Sequence, residues 1–466
     1  MPYKPTWHLS GPPPYAVQLE AQRRAHDQSK YAFFLEQGLG KTALQLNDYI
    51  EQHSDLDTIV LLCPNTFKQD WVAAPAEWGV PEIKGGYWPR DDMKRGTTGS
   101  PRINVMNFEA VRGSGHAPLA ALMDKRPCLL VVDESSAIKN FKSQTAKAVL
   151  DLAKRAKAVR LLNGTPMSQN VMDLFPQLKA LGQMDKINPY VFRNHFAVTG
   201  GWMGKQIVGV KNEEELHAIL DRCSFRALKK DWSDLPEKIN VPVQLEMTNK
   251  QLKHYKEMLR DFITLVSGHE FSADMVIARL EKLRQISSGL LMDGDKFTLL
   301  DEPHNNPKIK ALLDIYESGP GKLVVVHHYT KMGSVLFDFL AKKGLKPSYL
   351  RGGMKPEEIT HQKDRFNNDP DCRVKVAQIL ASSRAHTLIG GKGNDRANRM
   401  VYHDLTWNLL DKSQMDDRIH RGAQDKVCSY YHLMLTPVDK AQVDALTSKA
   451  DLVSKVVDVI RAMKNG

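Results

Sequence analysis

The sequence predicts an α/β protein with two parallel-sheet series in tandem and helical insertions between them. Three observations carry this. Short apolar runs alternate with helix-period segments in the N-terminal third. A glycine-bearing loop joins the first such run directly to a helix. A second alternating series begins near "KLVVVHHY", after a long stretch of charged, helix-period sequence.

The elements follow in order. "GPPPY" (11–15) is a stiff entry segment and "VQLEAQRRAHDQ" reads as a helix. "YAFFL" (31–35) is a strand, "EQGLGKT" a loop and "ALQLNDYIEQ" a helix. Further strands are expected at "TIVLLC" (58–63), "INVMNF" (103–108), "CLLVV" (128–132) and "AVRLL" (158–162). The middle is dominated by helical patterns such as "NEEELHAILDRC" and "NKQLKHYKEMLRDFITLV", with "INVPVQLEM" (239–247) its clearest strand. The second series places strands at 322–329, 373–380, 399–405 and 427–435. The expected organisation is residues 1–235 as a first lobe with a helical protrusion, 236–310 as a helical protrusion or linker, and 311–466 as a second lobe.

Composition narrows the function. The 466 residues carry a formal net charge of +11 and a pI near 9.2, which favours a polyanionic partner, nucleic acid first. No apolar stretch of about 18 residues exists, so no membrane span is expected, and the N-terminus has no apolar core of a secretory signal. The five cysteines are scattered singly with no C-x-x-C, which argues against a zinc ribbon or redox pair and for an intracellular, reducing setting. Cys63 and Cys128 sit in strand-like runs and read as buried thiols.

Two features point to phosphate chemistry. In "EQGLGKT", Gly38, Leu39 and Gly40 allow a tight turn whose N–H groups face phosphate oxygens, at the positive end of the following helix. Lys41 is placed for the β and γ phosphates and the Thr42 hydroxyl for Mg²⁺. The full pattern asks for glycine at 35, where this chain has Leu35. The second feature is "VVDESSAIKN" (131–140). Asp133 ends an apolar strand at the edge where open α/β sheets bind ligands. It suits the metal's water shell, and Glu134 suits orientation and deprotonation of an attacking water. An isolated acidic pair at a strand end is more often a turn; an upstream phosphate loop reverses that preference.

Asp133-Glu134 followed by Ile138-Lys139-Asn140 resembles motif II of the Swi/Snf-type translocases of helicase superfamily two. Gln18 resembles that family's adenine-reading glutamine, and "LEQGLGKTALQL" its motif I, which also lacks the first glycine. "IVLLCPNTFKQDWVAAPAEW" is similar to motif Ia, with Pro64, Trp71 and Trp78 in place. "LLNGTPMSQNVMDLF" is similar to motif III, with Gly164, Thr165, Pro166 and Asn170. "DLTWNLLDKSQMDDRIHRGAQDK" is similar to motif VI, with Gln414, Asp417, Arg418, His420, Arg421 and Gln424. The likeness runs from about residue 10 to 440 and is of a compact phage or bacterial type.

The resemblance implies two RecA-like lobes with ATP and Mg²⁺ between them, and Arg418 and Arg421 as arginine fingers from the second lobe. It implies Gly164, Thr165, Gln414 and Asp417 as coupling residues. Thr66, Lys139 and Arg384 become candidate DNA-backbone contacts. The activity implied is ATP-dependent translocation on double-stranded DNA by a monomer, with protein partners for recruitment, remodelling DNA or protein–DNA complexes in a bacterial cytoplasm, an infected cell or a nucleus. The alternatives are a strand-separating DNA or RNA helicase and a binding protein on an inactive ATPase fold. Two departures stand out. In motif V, Ser383, Arg384 and Ala385 match but His386, Thr387 and Ile389 replace glycines. In motif II, Ser136 stands where the family commonly has a relay histidine.

Overall fold

The computed structural model describes residues 3–56, 58–88, 102–167, 170–200, 206–232, 235–267, 273–293, 296–382, 388, 390–391, 396–421 and 424–448. Its strands are β1 (Lys30–Leu35), β2 (Thr58–Cys63), β3 (Lys84–Tyr87), β4 (Arg102–Asn107), β5 (Cys128–Asp133), β6 (Ala158–Leu162), β7 (Ala197–Gly200), β8 (Gln206–Val210) and β9 (Ser224–Ala227). They continue with β10 (Lys238–Gln244), β11 (Leu290–Asp293), β12 (Lys296–Leu299), β13 (Leu323–His327), β14 (Ser348–Leu350), β15 (Val374–Gln378), β16 (Arg399–Tyr402) and β17 (Cys428–Met434). The chain forms two compact units, Met1–Asp234 and Leu235–Gly466.

In the first unit a seven-stranded parallel sheet runs β3-β4-β2-β5-β6-β1-β9. Its central strands β2 and β5 are buried at every position and mostly apolar, because both faces of the sheet are covered. Successive side chains divide between two cores. Ala32, Phe34, Val60, Leu62, Leu130 and Val132 enter one, while Tyr31, Phe33, Leu35, Ile59, Leu61, Leu129 and Val131 enter the other. Each fully buried side chain of this size contributes roughly 1.5–3 kcal/mol. β7 and β8 pair antiparallel with a register shift at Val198/Thr199.

The second unit holds a six-stranded parallel sheet, β10-β17-β16-β13-β15-β14. It has its own two cores, with Val324, Val326, Met400 and Tyr402 on one face and Leu323, Val325 and Val401 on the other. The long helices Asn249–Ser267 and Ala273–Ser288 pack a separate cluster that includes Tyr255, Phe262, Leu283 and Val438. β11 and β12 form a small antiparallel pair.

The structure departs from the sequence expectation in local ways. "INVPVQLEM", read as the clearest strand of the helical middle, is β10, the edge of the second sheet beside β17. "INVMNF" stops one residue early, because the Asn107 side chain accepts the Ala110 N–H and starts a helical turn at Phe108. "RVKVAQIL" turns helical at Ile379. The short strands β3, β9 and β14 had no distinct pattern; each is an edge strand held by backbone pairing to one neighbour. All five cysteines are free and buried, as expected for Cys63 and Cys128. Among the described residues no helix is long and apolar enough to cross a membrane.

Candidate active site

The site is built at the C-terminal edge of the first sheet. β1 delivers the loop Glu36–Gly40, after which the helix Lys41–Gln52 begins. Gly40 adopts the left-handed conformation (φ 76°) that a side chain disfavours. A Cβ there would also lie 2.4 Å from Gln18 Nε2. The space is taken because Gln18, buried in the helix Ala16–Ala25, donates Nε2 to the Gly40 carbonyl at 2.9 Å and accepts the Tyr15 N–H at 2.7 Å. Gln18 thus braces the loop's last residue. Lys41 folds back so that Nζ donates to the Leu35 carbonyl at 2.9 Å.

β6 lies between β1 and β5, and Leu162 pairs with both Phe33 and Asp133. This register sets Asp133 level with the strand that carries the loop. The Asp133 carboxylate accepts the Trp71 indole N–H at 2.8 Å and the Glu134 backbone N–H at 3.0 Å. Burial and then the adjacent Glu134 charge push its carboxyl up to about 6, against the opposing pull of Trp71 and Lys41. Glu134 has φ 54°, a strained value for a residue with a side chain. That turn swings its carboxylate towards the loop, where it accepts Gln37 Nε2 at 3.3 Å.

The third component is the segment after β6. Asn163 N donates to the Phe33 carbonyl and Asn163 Oδ1 accepts the Thr165 N–H at 3.0 Å. Gly164 lies against the phosphate loop, its missing Cβ only 3.4 Å from Gln37 N. Gln18, Gly38–Thr42, Asp133, Glu134, Gly164 and Thr165, singled out from sequence, are therefore gathered at one sheet edge.

Below them, Arg160 of β6 is fully buried and forks onto Asp48 of the helix Lys41–Gln52, with Nε–Oδ2 at 2.9 Å. This pair ties the strand that leads into Asn163 to the helix that begins at Lys41.

The other candidates are distributed elsewhere. Lys139 is half-buried just after the turn Ser135–Ile138. Thr66 lies in the turn Asn65–Phe67, and Arg384 lies outside the described residues. In the second unit, Gln414 sits on the helix Leu409–Asp416, and Asp417, Arg418 and Arg421 follow it. Arg418 is buried and Arg421 half-buried. Asp417, read as a coupling residue, forms a 2.7 Å ion pair with Lys238 of β10. His420 Nε2 lies 2.7 Å from the Pro236 carbonyl, and Gln424 Nε2 donates to the Ala397 and Ile419 carbonyls. Sequence reasoning missed Gln37 and Gln177, which contact the acidic segment, and gave Trp71 no contact of its own. Nothing in local sequence marks such partners.

A parallel sheet with a glycine loop opening a helix on one strand and an acidic pair ending another is the architecture of a phosphate-loop nucleotide-binding protein. The chain belongs to the SNF2-related family, whose domain matches residues 17–290. It is 24% identical over 418 residues to the mouse "DNA annealing helicase and endonuclease ZRANB3", covering 86% of this chain and 36% of that protein. It is 24% identical over 471 residues to "SWI/SNF chromatin-remodeling complex subunit snf22" of Schizosaccharomyces pombe, covering 91% of this chain and 26% of that one. An "Uncharacterized ATP-dependent helicase" of Mycoplasma pneumoniae is 24% identical over 456 residues, covering 93% of this chain and 41% of that one. The chain thus spans well under half the length of these relatives.

Proposed function

We propose that this chain is an ATP-dependent translocase on double-stranded DNA that remodels DNA or protein–DNA complexes inside the cell. The observation that carries the reading is the convergence of the phosphate loop, the Asp133–Glu134 pair and the Gly164–Thr165 segment on one edge of the first sheet, in a chain of the SNF2-related family.

The proposed roles follow from the chemistry of the groups. Gln18 braces Gly40, and its amide is the group assigned to reading the adenine. Loop N–H groups and the helix N-terminus bind phosphate oxygens, and Lys41 exchanges the Leu35 carbonyl for the β and γ phosphates. The Thr42 hydroxyl and Asp133 carboxylate are hard oxygen donors of the kind Mg²⁺ takes. Among the described residues no cluster of three or more His, Cys, Asp or Glu could hold a metal. A sparse oxygen set suits an ion held mainly by water and nucleotide phosphates. When bound, Mg²⁺ neutralises charge on the phosphates. Glu134, turned towards Gln37, orients the attacking water and accepts its proton. Arg421, with Arg418, supplies positive charge to the transition state from the second unit. Net positive charge provides a sequence-independent hold on phosphates, with Thr66, Lys139 and Arg384 as the contacts proposed first.

The test is the ATPase rate with double-stranded DNA, single-stranded DNA and RNA, alongside a strand-displacement assay. Stimulation by duplex DNA without strand separation is the expected result. Stimulation by single strands alone, with unwinding, replaces this reading by that of a strand-separating helicase.

A further inference from the structure

The family resemblance raised the question of how the acidic pair communicates with the segment after β6, since Ser136 stands at the relay position. The structure contains a different connection. Ser135 and Gln177 are both fully buried. Ser135 Oγ donates to Gln177 Oε1 at 2.8 Å. At its other end, Gln177 Nε2 donates to the Pro166 carbonyl at 2.7 Å and to the Asp173 carbonyl at 2.8 Å. Gln177 lies on the short helix Phe175–Ala180, anchored by Phe175, whose ring packs against Phe141 and Phe192.

We propose that Gln177 is a positioning residue that couples the Asp133–Glu134 turn to the Gly164–Pro166 segment, so that nucleotide state at the one is read at the other. The proposal rests on the translocase reading above.

Three physical points support it. An amide offers an acceptor at one end and a donor at the other, so it can join a hydroxyl to a carbonyl; a carboxylate or an aliphatic side chain cannot. Ser135 follows the strained residue Glu134, so any change in the Glu134 backbone on nucleotide binding moves the Ser135 hydroxyl directly. The bonds lie out of water, where a satisfied network is stiff and an unsatisfied one costly; the two ends therefore shift together. Gly164 at the far end packs on the phosphate loop at Gln37, which in turn contacts Glu134. Acidic turn, Gln177, the Gly164–Pro166 segment and phosphate loop form a closed circuit.

The experiment measures steady-state ATPase of the full chain with and without duplex DNA in Ser135→Ala, Ser135→Thr, Gln177→Leu and the Ser135→Ala/Gln177→Leu double variant, with Tm for each. The ATP KM and DNA-free turnover are expected to stay within about twofold of the parent while DNA stimulation falls about tenfold in Ser135→Ala and Gln177→Leu. Ser135→Thr, which keeps the hydroxyl, retains stimulation. The double variant removes the acceptor that Ser135→Ala orphans but leaves the Pro166 carbonyl without its donor, so Tm does not exceed that of the parent and stimulation stays lost. Stimulation preserved in both single variants overturns the proposal, as does stimulation that returns in the double variant. A parent protein unstimulated by any DNA overturns the translocase reading itself, and the coupling role with it.

Discussion

Trp71→Phe tests the electrostatics of the site. The indole N–H donates to Asp133 Oδ2 at 2.8 Å in a buried setting, and it opposes the burial and the Glu134 charge that hold this carboxyl up to about 6. A hydrogen bond to a charged acceptor contributes on the order of 1.5–3 kcal/mol. At 1.36 kcal/mol per pKa unit, its loss raises the carboxyl by roughly one to two further units. Only the ionised carboxylate serves a divalent cation, so proton and metal compete. In the parent protein, Mg²⁺-dependent nucleotide binding therefore weakens as pH falls through about 6. In Trp71→Phe this acid limb moves up to roughly pH 7–8, and Mg²⁺ affinity at pH 7 drops about two- to tenfold. By pH 9 the two proteins converge.

Stability responds to pH with the opposite sign. Because the folded pKa lies above the ordinary carboxylate value, ionisation of Asp133 opposes folding as pH rises through it. Trp71→Phe is thus more destabilising at pH 8 than at pH 4.5, by up to roughly 1.5–3 kcal/mol beyond the loss of packing. The assay is Mg²⁺ titration of a fluorescent ATP analogue from pH 5 to 9, with Asp133→Asn as the variant lacking the limb. Superimposable pH profiles for parent and Trp71→Phe would refute the assignment of Trp71 as the group that holds Asp133 ionised.

Four further outcomes are expected. Gly40→Ala forces a Cβ into a left-handed backbone 2.4 Å from Gln18 Nε2, so ATP affinity falls at least about tenfold, measured by nucleotide titration. Glu134→Gln keeps ATP binding but loses about 10²-fold or more in turnover, visible as bound ATP that persists in single-turnover assays. Arg421→Ala retains DNA binding and loses on the order of 10³-fold in DNA-stimulated turnover; near-normal turnover removes it from the site. Asp48→Ala strands the fully buried Arg160 and costs about 3–5 kcal/mol of stability, read by denaturant unfolding.

Much of the site was legible because its pieces are contiguous in the chain. A strand, two glycines, a lysine and a threonine specify a phosphate loop from local geometry alone, and Asp133-Glu134 gains meaning from the apolar strand before it. What escaped were groups brought together over long separations by packing. Trp71 reaches Asp133 from a helix on another part of the sheet. Gln177 and Gln37 are ordinary polar residues in sequence and become partners of the acidic turn only when β6 and its following helices are in place. Arg160, in an apolar strand pattern, signals nothing until Asp48 is seen beside it.

By itself the sequence determined that the chain is α/β, that its strands run as two series, and where a glycine loop opens a helix, because hydrophobic period and glycine placement act within a few residues. Only the tertiary structure decided the strand order that sets β6 between β1 and β5, the strained turn at Glu134 and the buried bridge through Gln177. Those depend on which distant surfaces fit and on which buried polar groups find partners, a condition met by the whole fold and by no single segment.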